Sequence, residues 1–200
     1  MKVLSEKRSE DFLEEGGFEV VPRDFCITRF GLRRSLKKIG FPFVLKAVGR
    51  KIKTDERSLI KSDVRTYTQA IYDLKNLKKI KGVEGILVQK KFLGKEFFVS
   101  VKKDRNSRPF LSFSSLYPNE HNEKGISSKA LPITRPKIKK IFSEAKLSKN
   151  VSGRERKSIE EVLTKVSGFV KKHKEISELE IKFLVNKKNY SIVYSRVILG

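Results

Sequence analysis

The sequence predicts an α+β protein of two lobes. Three observations carry that expectation. Apolar residues recur at helical spacing in several windows, and these windows alternate with short, almost wholly apolar runs. Strand patterns crowd into the second half of the chain, after Gly82. The AVILMFWYC group makes up 38% of the 200 residues and lies in ordered runs, which excludes a disordered chain.

The elements follow in order. Ser5 to Gly16 reads as a helix: Ser5 caps it, acids fill its early turns, Phe12 and Leu13 face inward, and Gly16-Gly17 ends it. Phe25 to Thr28 is a short strand. Leu32, Leu36 and Ile39 share one helix face and Gly40 stops that helix. Phe43 to Val48 is an apolar strand with one lysine, Lys46, inside it. Residues 49–57 form a basic loop, followed by a short strand near Leu59-Ile60. Thr66 to Ile80 is a helix with Ile71, Leu74 and Leu77 inward, ended by Gly82. Gly85 to Gln89, Glu96 to Val101 and Phe110 to Phe113 read as strands. Tyr117 to Ser128 is polar, holds Pro118 and Gly125, and reads as a loop. Pro136 to Ala145 is helical, with proline acceptable in a first turn. Ser158 to Lys172 is an amphipathic helix. Strands at Glu178 to Val185 and Tyr190 to Leu199 close the chain around a Lys187-Lys188-Asn189 turn. The expected lobes are residues 1–82 and 83–200, and no internal repeat is visible.

The chain carries 46 Lys+Arg against 23 Asp+Glu, a net charge of +23. Such an excess raises nucleic acid as a partner. Its distribution argues for a secondary role. The net charge is −3 over residues 1–20, then +8, +5, +8 and +5 over residues 21–60, 61–100, 101–150 and 151–200. No basic tail exists, and 32 lysines against 14 arginines suit a solvated surface better than bidentate recognition. Phe30 and Phe92 stand beside basic residues and are the candidates for stacking on bases, although burial statistics favour core or sheet-edge positions for both.

Other classes are excluded by what the chain lacks. The longest apolar runs fall far short of the roughly 18–20 residues that span a bilayer, and nothing near Met1 resembles a signal peptide. Cys26 stands alone, so no internal disulfide and no Cys-based zinc site can form, and it is expected in the core. A cytoplasmic protein is the expectation. No Ser/His/Asp set or carboxylate dyad is identifiable, and His121 and His173 read as surface residues.

Seven segments, in order, resemble one known family. Ile39-Gly40-Phe41-Pro42-Phe43-Val44-Leu45-Lys46 is similar to the Ile-Gly-aromatic-Pro-x-Val-Leu-Lys pattern in the ATP-grasp domain of ADP-forming acyl-CoA synthetases, the beta subunit of acetate–CoA ligase. Leu4-Ser5-Glu6 matches its opening helix. Gly85-Ile86-Leu87-Val88-Gln89 matches Gly-Val-Leu-Val-Gln, and Gly94-Lys95-Glu96 matches Gly-x-Glu. Leu131-Pro132-Ile133-Thr134, Ile176-Ser177-Glu178-Leu179-Glu180-Ile181 and Arg196-Val197-Ile198-Leu199 match the remaining patterns.

The resemblance implies a two-lobed ATP-grasp-like fold with ATP or ADP between the lobes. It assigns Lys46 and Lys53 to the phosphates, Gln89 to the adenine hinge and Glu96 to the ribose. It also implies a reaction interconverting acyl-CoA, ADP and phosphate with acid, ATP and CoA, run together with a CoA-binding alpha-type subunit or domain. The departures fall on the chemistry. The family holds Mg²⁺ with Asp-x-Asn in Glu-Leu-Asp-Ile-Asn-Pro-Leu. Here the segment is Glu178-Leu179-Glu180-Ile181-Lys182-Phe183-Leu184. Glu180 keeps an oxygen donor, whereas Lys182 is a cation with no acceptor. Arg57-Ser58 replaces a Gly-Gly pair, Ile52 a histidine and Tyr194 an aspartate. Lys90 replaces the hinge glutamate, and Ser114-Ser115-Leu116 stands where the family has Gly-Leu-Gly-Gly. The implied protein is a ligase relative with a weakened Mg²⁺ site and reduced catalysis. The alternative is a non-catalytic basic module that binds nucleic acid or another polyanion.

Overall fold

A computed structural model of the chain describes residues 1–49, 56–115, 125–145, 147 and 151–200. Lys53, Ile52 and His121 lie outside the described residues, as does the side chain of Arg57. The architecture is α+β with two sheets, as the sequence predicts. In order the elements are β1 (Lys2–Val3), α1 (Glu6–Glu15), β2 (Arg23–Cys26), α2 (Arg29–Ile39), β3 (Phe43–Val48), a short 3-10 turn (Glu56–Leu59), β4 (Ile60–Val64), α3 (Tyr67–Lys78), β5 (Gly85–Lys90), β6 (Lys95–Lys103), β7 (Pro109–Ser114), β8 (Ile126–Ala130), α4 (Arg135–Glu144), α5 (Gly153–Lys172), β9 (Ile176–Val185) and β10 (Tyr190–Leu199).

The chain divides into two compact units, Val21–Phe92 and Met1–Val20 with Leu93–Gly200. This division differs from a split at residue 82 for two physical reasons. β1 pairs with β10, which ties the first residues to the last strand. β5 lies between β2 and β3, so it completes the smaller unit's sheet.

The smaller unit is a four-stranded antiparallel sheet in the order β2-β5-β3-β4. β3 and β5 alternate between two faces. Phe43, Leu45 and Ala47 of β3 and Ile86 and Val88 of β5 face a core that includes Leu32, Leu36 and Ile39 of α2 and Leu74 and Leu77 of α3. Thr28 and Thr66 cap the two helices by accepting from the backbone N–H groups of Gly31 and Gln69. Gly85 is required where it stands, since a Cβ there would lie 2.2 Å from the Phe25 ring.

The larger unit is a six-stranded antiparallel sheet, β1-β10-β9-β6-β7-β8. Phe97, Val99, Leu111, Phe113, Leu179, Ile181 and Phe183 line one face, where they meet Leu13 of α1, Ile141 and Phe142 of α4, and Val162, Leu163 and Phe169 of α5. The Phe97 ring stacks on Phe113 at 5.9 Å and lies 5.6 Å from Phe183. β8 corrects the expected loop: Ile126–Ala130 extends and pairs with β7, so the polar serines there form a sheet edge rather than a turn. α5 also begins earlier than its apolar stripe suggests. Ser152 and Glu155 form a reciprocal capping box, in which Ser152 N–H donates to Glu155 Oε2 at 2.7 Å.

Candidate nucleotide site

Each unit carries its own set of candidate residues. In the smaller unit, register places Val44 opposite Gln89 and Lys46 opposite Leu87. Lys46 and Gln89 therefore lie diagonally on the same face of adjacent strands, on the side away from α2 and α3. Arg23 sits opposite Gln89 on β2 and shares that face. The residue escapes a motif search because β2 carries no distinctive spacing, and only strand register reveals it. Lys46 is 9% exposed and Gln89 2%.

Lys90 is placed differently from its neighbour. It lies opposite Phe43 on the helical side of β5, and its ammonium donates to the Phe41 carbonyl at 2.9 Å. Its positive charge is thus spent on the backbone of the Phe41-Pro42 turn, where the peptide bond is cis. It does not add to the face that carries Lys46 and Gln89.

In the larger unit, the sheet face opposite the helices carries Glu96, Phe98 and Ser100 of β6, Glu180 and Lys182 of β9, and Tyr194 and Arg196 of β10. Gly94 allows this arrangement. A Cβ at Gly94 would lie 2.5 Å from the Val185 carbonyl oxygen, so only glycine lets β6 start against β9 and set Glu96 in register with Leu184. Lys182 Nζ lies 3.1 Å from Glu96 Oε1, and Arg196 Nη1 lies 3.8 Å from Glu180 Oε2. Both acids expected to serve the nucleotide or its metal therefore stand beside a cation. Arg196 as the partner of Glu180 follows from the β9–β10 register, which sets the two opposite each other.

The structure thus groups Lys46 with Gln89, and Glu96 with Glu180. Among the described residues no group of three or more His, Cys, Asp or Glu could hold a metal ion. His173 is half-buried: its ring packs edge-on against Phe12 at 4.8 Å, and Nδ1 lies 3.0 Å from Glu175 Oε1. Cys26 is buried as expected, and burial, aided by Asp24, pushes its thiol up to about 11.

The two antiparallel sheets, each with helices against one face, define an α+β class of protein. The chain belongs to the ATP-grasp family, whose domain description matches residues 1–199. It is 28% identical over 207 residues to acetate–CoA ligase [ADP-forming] I of Archaeoglobus fulgidus, a match covering 94% of this chain. The chain spans 30% of the length of that relative. Its fold is similar to dinucleotide forming acetyl-coenzyme A synthetase 1 of Ca. Korarchaeum cryptofilum solved with coenzyme A, Ca-AMPCP and HgCl+. That match has a TM-score of 0.88 and 20% identity and covers 100% of this chain and 94% of that one. The selenomethionine form of the same enzyme, solved with coenzyme A and Mg-AMPPCP, gives a TM-score of 0.81 at 20% identity, covering 100% and 93%. Among the described residues no helix is long and apolar enough to cross a membrane.

Proposed function

We propose that this chain is the nucleotide-binding ATP-grasp part of an ADP-forming acyl-CoA ligase system, with its metal-dependent step weakened. ATP or ADP is the ligand. Lys46 serves its phosphates as a point charge, with Lys53 assigned the same role by family resemblance. Gln89 serves the adenine. Glu96 accepts from the ribose hydroxyls, which a carboxylate can do while one oxygen holds Lys182, because its two oxygens offer about four acceptor sites. The similarity to acetate–CoA ligase supports a CoA-binding subunit or domain as partner, and supports acyl-CoA, ADP and phosphate as one side of the reaction.

The observation that carries the weakened reading is the Lys182–Glu96 pair at 3.1 Å. A cation occupies the position where the family pattern places an asparagine ligand, and Glu180 is held near Arg196. A donor set with a lysine in it does not fit Mg²⁺, which wants near-ideal octahedral oxygen ligation. Glu180 alone is a poor anchor. The test is ADP-forming turnover with a CoA-binding partner chain, measured as ATP produced from acetyl-CoA, ADP and phosphate with Mg²⁺ present. The expected result is turnover at the limit of detection that rises on Lys182→Asn. Robust turnover by the unaltered chain refutes the weakened reading.

A further inference from the structure

The outer face of α2 has no part in the nucleotide site. Arg29, Arg33, Arg34, Lys37 and Lys38 are all exposed on this eleven-residue helix, which contains no acid. Arg29 with Arg33, Arg33 with Lys37 and Arg34 with Lys38 stand four residues apart, a spacing at which like charges repel. The first turn holds Arg29 and no acid, against the helix dipole. Lys37 and Lys38 suit the C-terminal end of the dipole, but among the described residues no ion pair offsets these five cations, which points to a counter-charge outside the fold.

An aromatic sits within this charge. Phe30 is 80% exposed, contrary to the core or edge position its apolarity suggests. The reason is local: Leu32, Leu36 and Ile39 define the buried stripe of α2, and Phe30 falls off that stripe in the first turn. Lys78 of α3 donates to the Ile27 carbonyl at 2.9 Å, which brings a sixth cation to the same end. Tyr72, also on α3, is 66% exposed. Cations flanking an open aromatic ring are the parts that hold a phosphate backbone and stack a base. Lysine is depleted at the centres of protein–protein interfaces whereas arginine and aromatics are not, so an acidic protein is the rival occupant that the test below separates.

We propose that the outer face of α2, with Phe30 at its head, binds single-stranded nucleic acid. Binding of the whole chain to a labelled 20-nucleotide oligouridylate, and to oligothymidylate of equal length, is followed by fluorescence anisotropy from 50 to 300 mM salt. The logarithm of affinity falls with the logarithm of salt by about 0.7 per neutralised phosphate. Arg33→Ala with Lys37→Ala therefore flattens the slope by about 1.4. Phe30→Ala weakens binding about 5- to 150-fold at every salt concentration and leaves the slope unchanged, as loss of one stacked base requires. The charge-matched control, Lys139→Ala with Lys140→Ala on α4, leaves affinity and slope near those of the unaltered chain, and thermal melting shows all variants folded. The proposal is overturned if neither oligonucleotide binds, if the α4 control loses as much as the α2 pair, or if Phe30→Ala has no effect. It is equally overturned if polyglutamate binds as tightly as the oligonucleotides, which would make an acidic protein the partner.

Discussion

Replacing Lys182 with asparagine tests the account of the larger unit's sheet face. Glu180 and Lys182 are two residues apart on β9 and share that face, a spacing of about 7 Å along a strand. A unit positive charge and a divalent cation at about 7 Å repel by roughly 1–2.5 kcal/mol when the effective dielectric lies between about 40 and that of water. Removing the ammonium also releases the Glu96 carboxylate from its 3.1 Å contact. Lys182→Asn should therefore raise the Mg²⁺-dependent gain in nucleotide affinity about 5- to 70-fold. The assay is calorimetric titration of AMPPCP into the unaltered and variant chains, each with and without Mg²⁺. The pair is partly exposed, so its loss costs about 1 kcal/mol of stability or less, and a melting curve excludes unfolding as the cause. An identical Mg²⁺ dependence in the two chains would refute the reasoning, because the lysine would then have no bearing on the metal.

Two further outcomes rest on the scaffold. Hydrogen bonds from Ser152 N–H and then Lys95 hold the Glu155 carboxyl down to about 2. A lowered value in the folded state gives stability that is full above the ordinary carboxylate range, and that stability is lost as pH falls from about 4.3 toward 2. Ser152→Ala should cost about 1 kcal/mol at pH 7. Glu155→Gln should be less stable than the unaltered chain at pH 7 and converge with it near pH 2, which urea unfolding at both pH values would read out. Cys26, with its thiol raised to about 11, should resist an aromatic disulfide reagent at pH 8 in the native protein and react at once in urea. Rapid native labelling would contradict its burial.

Much of the fold was legible because local chemistry and global position agree. Ser5 caps α1, Gly40 follows α2, and the apolar run Phe43–Val48 becomes β3 with Lys46 inside it. The start of α5 was legible in principle, since Ser152 and Glu155 stand at capping-box spacing ahead of the first apolar residue of the stripe. β8 was not, because Ile126–Ala130 is an edge strand of mostly small polar residues that pairing alone makes extended. Membership of the first twenty residues in the larger unit depends on the non-local β1–β10 pair, which leaves no local trace. Of the candidate site, the family resemblance assigns Lys46 and Gln89, and register sets the two on one face of adjacent strands. The partners of Glu96 and Glu180, by contrast, are set by cross-strand contacts between β6, β9 and β10. The same limit hid Phe30, whose exposure depends on which stripe of α2 meets the sheet.

The measurement closest to the central claim is calorimetric titration of ATP and of ADP into the unaltered chain, with and without Mg²⁺. The account predicts binding of both nucleotides, lost on Lys46→Ala and little changed by the metal. Absence of any nucleotide binding, or binding that appears only when Mg²⁺ is added, would contradict it.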